Sequence, residues 1–207
     1  DFGFVSCGVI LGLFPADVDF KGLTGKIIQK ESALLIFMPF ETPTRIIYPP
    51  ARHAEVIDEI FVRCKIGVTV GDLSSACHGK DEVPSRTNTR LSYSRIEVFN
   101  TADIFCYADD IGMVNDILAA KKQLCVERTD VLFLFLDLEQ PGCMELAEAC
   151  EAMGFFFAGV LPYGLNGKHT LILQFLNNLT IDYTKIALCD PFAQHLLDYV
   201  QLCGQAN

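Results

Sequence analysis

The chain has 207 residues, of which 51% are hydrophobic and 20% charged. This balance is typical of a globular α/β protein with one large or two small domains, and it excludes a disordered chain. The formal net charge of −10 argues against binding to nucleic acid, where Lys and Arg neutralise phosphates, and against binding to an anionic membrane surface. No apolar run has the length of a membrane span, and no signal-peptide pattern is visible.

The first part of the chain predicts two strands and a helix. Residues 4–13 and 32–40 are rich in Val, Ile, Leu and Phe and are predicted as strands. A helix follows Pro49 and Pro50, and its apolar side chains recur at helical spacing: Val56, Ile57, Ile60, Phe61 and Cys64. Residues 67–90 are mostly polar without a sustained period, which predicts an interdomain linker, with a functional lid as the alternative.

The second part alternates strands and helices. Two strands within 91–108 precede a helix that Asp109 or Asp110 is expected to cap, with a buried face of Ile111, Val114, Leu118 and Cys125. The continuous apolar run 130–138 predicts a central strand buried on both faces. A helix ending at Gly154, two more strands and a helix capped by Asp190 complete the pattern. The predicted fold is α/β, with a mixed twisted sheet flanked by helices.

A short pattern occurs twice in the chain. Gly3-Phe4 and Gly8-Val9 near the start match Gly154-Phe155 and Gly159-Val160 at the same internal distance. In both places a second strand follows, and then a helix that opens with ARH at 51–53 or AQH at 193–195. The order strand, strand, helix therefore predicts a partial tandem repeat.

The repeat sets the predicted domain organisation. Residues 1–66 are interpreted as the C-terminal remnant of a first domain, and residues 91–207 as a related second domain. Isolated strands of the remnant would leave unpaired edges. We therefore expect them to pair with or pack on the sheet of the second domain, or to pair with another chain.

The 9 cysteines, an odd number without a Cys-x-x-Cys pair, lie mostly within apolar runs. We interpret them as reduced core thiols, which predicts a cytoplasmic protein. Cys77 and His78 lack a second pair of ligands at a suitable spacing, so no metal site is predicted.

The second part also resembles a known family. Its order of strand, helix, strand, helix, Gly-Phe, strand, strand, with CEAMGF at 150–155, is similar to the back half of the GNAT acyltransferase superfamily. The stretches SALLIFMPF, IIYPPARHAEVIDEIF and GFFFAGVLP look like the C-terminal GNAT-like region of bacterial proteins that also carry an anti-sigma-factor-type ATPase domain. The resemblance covers most of the chain. It implies a signalling protein whose upstream ATPase domain is the partner of this module.

The resemblance implies where acyl transfer would occur, and this sequence differs at each of those positions. The family holds the pyrophosphate of acyl-CoA in a glycine-rich loop, whereas CYADDIGMVND offers only Gly112 beside Asp109 and Asp110. Each carboxylate would repel a phosphate by about 1–4 kcal/mol at contact. Cys150 occupies the usual position of the general acid, often a Tyr, and Cys143 occupies that of a common Asn. No cofactor is expected for a module without acyl transfer. Acetyl-CoA or CoA is expected to bind only if acyl transfer is retained.

A candidate ligand cleft is predicted where the central strand ends. In open α/β sheets, ligands bind beyond the carboxyl ends of the strands. The candidate residues are Tyr107, Asp109, Asp110, Gly112, Asp137, Glu139, Gln140, Cys143 and Cys150. His53 and His195 begin two equivalent helices, and a structural role is expected for both.

Three functions remain open from the sequence. The first is a non-catalytic GNAT-like sensor or regulatory module that acts through a small ligand or a protein contact. The second is an N-acyltransferase that uses acetyl-CoA or another acyl-CoA with a degenerate pyrophosphate loop. The third is a dimerisation or interaction module, for which a homodimer is possible.

Overall fold

The computed structural model describes residues 3–16, 29–40, 42–71, 90–108, 111–188 and 190–205. The strands are β1 (Val5–Phe14), β2 (Glu31–Phe37), β3 (Arg45–Ile47), β4 (Val68–Val70), β5 (Leu91–Ile96), β6 (Thr101–Cys106), β7 (Val131–Asp137), β8 (Phe156–Leu161) and β9 (Thr170–Leu176). The helices are α1 (Ala54–Arg63), α2 (Met113–Val126), α3 (Cys143–Glu151) and α4 (Pro191–Gln205). The predicted fold class, a mixed sheet flanked by helices, is confirmed.

Seven strands form the main sheet in the order β2-β1-β8-β9-β7-β6-β5. β7 runs antiparallel to β9 and parallel to β6, and its residues 131–134 are all buried. A strand covered on both faces needs apolar side chains at every position. The uninterrupted run VLFLFLD therefore forms the central strand that the sequence predicts.

β1 joins the sheet through a glycine contact. Gly8 of β1 lies opposite Gly159 of β8 in an antiparallel pairing. A Cβ atom on Gly8 would lie 2.6 Å from the Cα atom of Gly159 and 2.5 Å from the carbonyl oxygen of Ala158, so only glycine permits this approach. The strands of residues 1–66 thus continue the sheet of residues 91–207, one of the arrangements expected from their unpaired edges.

The strand pairs β1–β2 and β8–β9 carry an irregularity at matching places. The β1–β2 register shifts between Ser6 and Gly8, and the β8–β9 register shifts between Phe157 and Gly159. In each case the residue that precedes the glycine, Cys7 or Ala158, is the extra residue of a β-bulge. A bulge bends its strand and increases the local twist.

α1 and α4 both pack against β1 and β8. The predicted stripe of α1 is buried at Val56, Ile57, Ile60 and Phe61, as helical spacing requires. α4 begins at Pro191, and Asp190 accepts hydrogen bonds from the backbone N–H groups of Phe192 and Ala193 at 3.4 and 3.0 Å. The sequence-based cap of this helix is therefore confirmed.

α2 differs from its prediction in both its start and its buried face. Its N-cap residue is Gly112 and not Asp109 or Asp110, which lie outside the described residues. Ile111, expected on the inner face, precedes the helix and is 54% exposed. The buried residues are Met113, Ile117, Ala120 and Leu124. The sequence carries two overlapping apolar stripes, and the helix buries the one shifted by one residue where it packs against α3, β5 and β6.

A second, two-stranded sheet pairs β3 with β4 in parallel. β4 lies inside the segment 67–90, for which the sequence predicts a linker or lid, while residues 72–89 lie outside the described residues. Within the described part of the chain, no helix is both long enough and apolar enough to cross a membrane.

Candidate functional site

The candidate site lies where the parallel strands β6 and β7 end. They pair from Thr101 with Val131 to Phe105 with Phe135, and beyond this point their carboxyl ends border a small cavity. α3 begins beside it, with Cys143 as its first residue. The lining residues are Cys106, Tyr107, Ala108, Leu136, Asp137, Gln140, Cys143 and Leu146. Four residues of the predicted cleft, Tyr107, Asp137, Gln140 and Cys143, are therefore brought together.

The cavity is nearly closed. Its volume is about 10 Å³, which is room for about one water molecule. Buried thiols and leucines fill the space, and Cys106, Leu136, Cys143 and Leu146 are each at most 2% exposed. The Cys106 Sγ atom donates a hydrogen bond to the carbonyl oxygen of Ala108 at 2.9 Å.

Asp137 is the carboxylic acid among the lining residues of the cavity. Burial raises the pKa of its carboxyl group, and the hydrogen bond from the Glu139 backbone N–H, at 2.9 Å, opposes that rise. The same hydrogen bond closes a local turn after β7. Asp137 thus orders the backbone between β7 and α3. Because its pKa is raised, its carboxyl group can also bind a proton more readily than an ordinary aspartic acid.

Glu139 lies near the cavity in sequence but forms a separate polar cluster. Its carboxylate accepts hydrogen bonds from Arg45 Nη1 at 2.7 Å, Lys168 Nζ at 3.0 Å and the His169 backbone N–H at 3.0 Å. Burial raises the pKa of Glu139, but these hydrogen bonds outweigh it and the net pKa is lowered. Glu139 therefore ties β3 to the end of β7 and to the segment before β9. Its expected place in the cleft is not observed.

Cys150 is fully buried within α3 and does not line the cavity. Burial, together with Cys106 and Glu151, raises the pKa of its thiol to about 12. A general acid works best when its pKa lies near the working pH. This thiol is therefore far from the range in which it could exchange protons efficiently at neutral pH.

Two other predicted positions among the described residues, Tyr107 and Gly112, are exposed. Tyr107 is 45% exposed, and its hydroxyl oxygen accepts a hydrogen bond from Ser92 Oγ at 3.4 Å. Gly112 is the exposed N-cap residue of α2. Asp109 and Asp110 lie outside the described residues.

A buried hydrogen-bond network lies away from the cavity. His53 is 0% exposed. Its Nε2 atom lies 2.6 Å from Glu151 Oε1, and its Nδ1 atom lies 2.8 Å from the Tyr199 hydroxyl. Because that hydroxyl donates to the Arg52 carbonyl at 3.0 Å, its oxygen is free to accept a hydrogen bond from Nδ1.

This network links three helices. Glu151 ends α3, Tyr199 belongs to α4, and His53 precedes α1. The structural role expected for His53 agrees with these contacts. His195 is 57% exposed and lies 3.9 Å from Glu59, so the two histidines have different surroundings. The charged partner of His53 was missed because Glu151 is 98 residues away in sequence.

The fold and the cavity together define an α/β protein with a mixed sheet and a nearly closed site at the ends of its parallel strands. Among the described residues, no group of three or more His, Cys, Asp and Glu could hold a metal ion, and Cys77 and His78 lie outside them. Comparison of the chain with protein-family models, with curated proteins and with solved structures finds no match.

Proposed function

We propose that the chain is a GNAT-like module whose sheet contains a partial tandem repeat. Gly8 and Gly159 are partners in the sheet, and each follows the extra residue of a bulge. Gly3 and Gly154 precede these strands with φ values of 74° and 93°. The order β2-β1-β8-β9, with β1 antiparallel to β8, is the order that a twofold relation between the two strand pairs would produce, and it supports the division into residues 1–66 and 91–207.

We further propose that the module is regulatory and does not catalyse acyl transfer. The observation that carries this proposal is the cavity of about 10 Å³ at the ends of β6 and β7, where the resemblance implies that the acyl-CoA thioester would lie. A thioester and its pantetheine arm need several times this volume. Entry would require displacement of the buried side chains of Leu136, Cys143 and Leu146.

The high pKa of Cys150 supports the same conclusion. The resemblance implies a general acid at this position, but the thiol has a pKa of about 12 and no contact with the cavity. The resemblance also implies an upstream anti-sigma-factor-type ATPase domain, and the interpretation of the cysteines as reduced thiols implies a cytoplasmic location. The module would then transmit a signal to or from that domain through a protein contact or a small ligand.

A thermal-shift experiment with acetyl-CoA and CoA tests the proposal. A ligand that binds only the folded state raises the melting temperature by mass action, and at one hundred times its Kd it adds about 2.7 kcal/mol of stability. We expect no shift at millimolar concentration of either compound. A saturable rise in melting temperature would contradict the proposal and favour the N-acyltransferase.

A homodimer is the second candidate, and the exposed apolar residues of the β2 edge favour it. β2 is the last strand on one side of the sheet in the described part of the chain. Ile36, Met38 and Phe40, in and just after it, are 47%, 51% and 54% exposed. An apolar edge of this kind pairs readily with the same edge of a second copy.

Light scattering over a concentration series tests the dimer. If β2 forms the contact, Ile36→Lys should shift the protein to the monomer at micromolar concentration. Val62→Lys is the matched control, because Val62 is 66% exposed on α1. A monomeric wild-type protein, or equal effects of both changes, would contradict this second candidate.

A further inference from the structure

Two buried cysteines lie in contact far from the cavity. Cys7 is the bulge residue of β1, and Cys64 directly follows α1. Their Sγ atoms are 3.5 Å apart, although the residues are 57 positions apart in sequence. Both are 0% exposed. An approach of about 1.5 Å would bring the sulfur atoms to the bonding distance of about 2.05 Å.

The two thiols have unequal surroundings. The two thiols share a hydrogen bond in which either sulfur can be the donor, and this contact with Cys7 lowers the pKa of Cys64 in spite of burial. The same hydrogen bond, together with burial, raises the pKa of Cys7. Cys64 is thus the better nucleophile of the pair, and Cys7 lies within reach to resolve an oxidised Cys64.

We propose that Cys7 and Cys64 form a redox-active dithiol that a peroxide closes to a disulfide between β1 and the end of α1. The sulfur of Cys64, as thiolate, attacks one oxygen of hydrogen peroxide, which breaks the O–O bond and gives a sulfenic acid and one water after proton transfer. The sulfur of Cys7 then attacks the sulfenic sulfur, and the S–O bond breaks to release a second water. The two thiols are oxidised by two electrons, and one peroxide is reduced to two waters.

The position of the bond gives it a structural effect. It would tie the sheet to a helix that packs on both β1 and β8. It would also close a long loop, which restricts the unfolded chain more strongly than a short one. The bulge residue of β8 at the matching place is Ala158. The bulge of the β8–β9 pair therefore has no thiol that could form an equivalent bond.

Burial makes the reaction selective for small oxidants. A peroxide can reach the thiols through brief local opening, whereas a bulky disulfide reagent requires a larger opening. The proposal goes beyond the regulatory module and does not rest on it, because neither sulfur borders the cavity. Reversible disulfides of this kind serve redox sensing in reducing compartments.

The test is oxidation of the folded chain by hydrogen peroxide. After quenching, the remaining thiols are alkylated in denaturant, the chain is digested, and linked peptides are identified by mass spectrometry. We expect a Cys7–Cys64 peptide pair that dithiothreitol removes. The oxidised protein should also melt roughly 5–15 °C higher, because closure of a loop of this length stabilises the folded state.

Two variants serve as controls. Cys7→Ala removes the link and should abolish the rise in melting temperature, and Ala is the residue at the matching bulge of β8. Cys125→Ser removes a half-buried thiol of α2 and should leave both the link and the rise unchanged. The oxidation of the wild-type chain does not depend on whether either variant folds.

Three outcomes would overturn the proposal. The first is oxidation of Cys125 without any Cys7–Cys64 peptide in the folded protein. The second is a link that forms only in denaturant, and the third is a rise in melting temperature that persists in Cys7→Ala.

Discussion

At the scale of the residue, His53 gives the clearest case of a side chain whose role depends on distant partners. It contacts Glu151 at 2.6 Å and Tyr199 at 2.8 Å while fully buried. Burial of these groups is tolerated only because each finds its hydrogen-bond partner. The three side chains therefore fix the mutual positions of α1, α3 and α4.

We predict that His53→Ala lowers the free energy of unfolding by about 3 kcal/mol, because the carboxyl group of Glu151 would stay buried without its partner. Urea denaturation monitored by circular dichroism measures the change. His195→Ala is the matched control. Its ring is 57% exposed, so the change should lie within about 0.5 kcal/mol of the wild type. A His53→Ala protein as stable as this control would show that the network has no structural role.

At the scale of the element, the junction of β1 with β8 depends on two glycines. A side chain at Gly8 would meet the backbone of Ala158 and Gly159 at 2.5–2.6 Å, and neither strand can yield without breaking the sheet. We predict that Gly8→Ala lowers the free energy of unfolding by at least about 2 kcal/mol, again measured by urea denaturation.

Gly3→Ala provides the comparison for that prediction. Gly3 has a φ of 74°, and among the described residues no atom lies within 4 Å of the point that its Cβ atom would occupy. Only the backbone conformation therefore opposes the change, by about 1 kcal/mol. Equal effects of the two substitutions would mean that the close approach of β1 and β8 does not limit stability.

The elements also show which features the sequence could reveal. β7 and the buried stripe of α1 were predictable because their apolar patterns are long and local. The short parallel pair β3–β4 was missed, since three residues carry too little pattern and the partners are distant in sequence. The face of α2 was predicted one residue out of register, because two apolar stripes overlap there.

The candidate site was predictable in part for the same reason. Asp137 ends a strand that was correctly predicted and Gln140 comes shortly after it, so the position of both residues at its carboxyl end could be predicted as well. The role of Glu139 depends on Arg45 and Lys168, which approach it only in the folded chain. Closure of the cavity by Cys143 and Leu146 depends on packing, which no sequence spacing reveals.

At the scale of the whole molecule, the repeated glycines Gly8 and Gly159 lie at the junction of the strand pairs, and the thiols at two of the predicted reactive positions, Cys143 and Cys150, are buried. Gly8 and Gly159 join the two halves of the sheet. Cys106 and Cys143 fill the space at the ends of the parallel strands.

The central claim is that this site does not bind or turn over acyl-CoA. Isothermal titration of the folded protein with acetyl-CoA tests binding, and a colorimetric assay of released CoA thiol in the presence of amine substrates tests turnover on the same sample. We predict no binding heat at millimolar acetyl-CoA and no thiol release above the protein-free reaction. Saturable heat accompanied by CoA release in proportion to protein concentration would contradict the account.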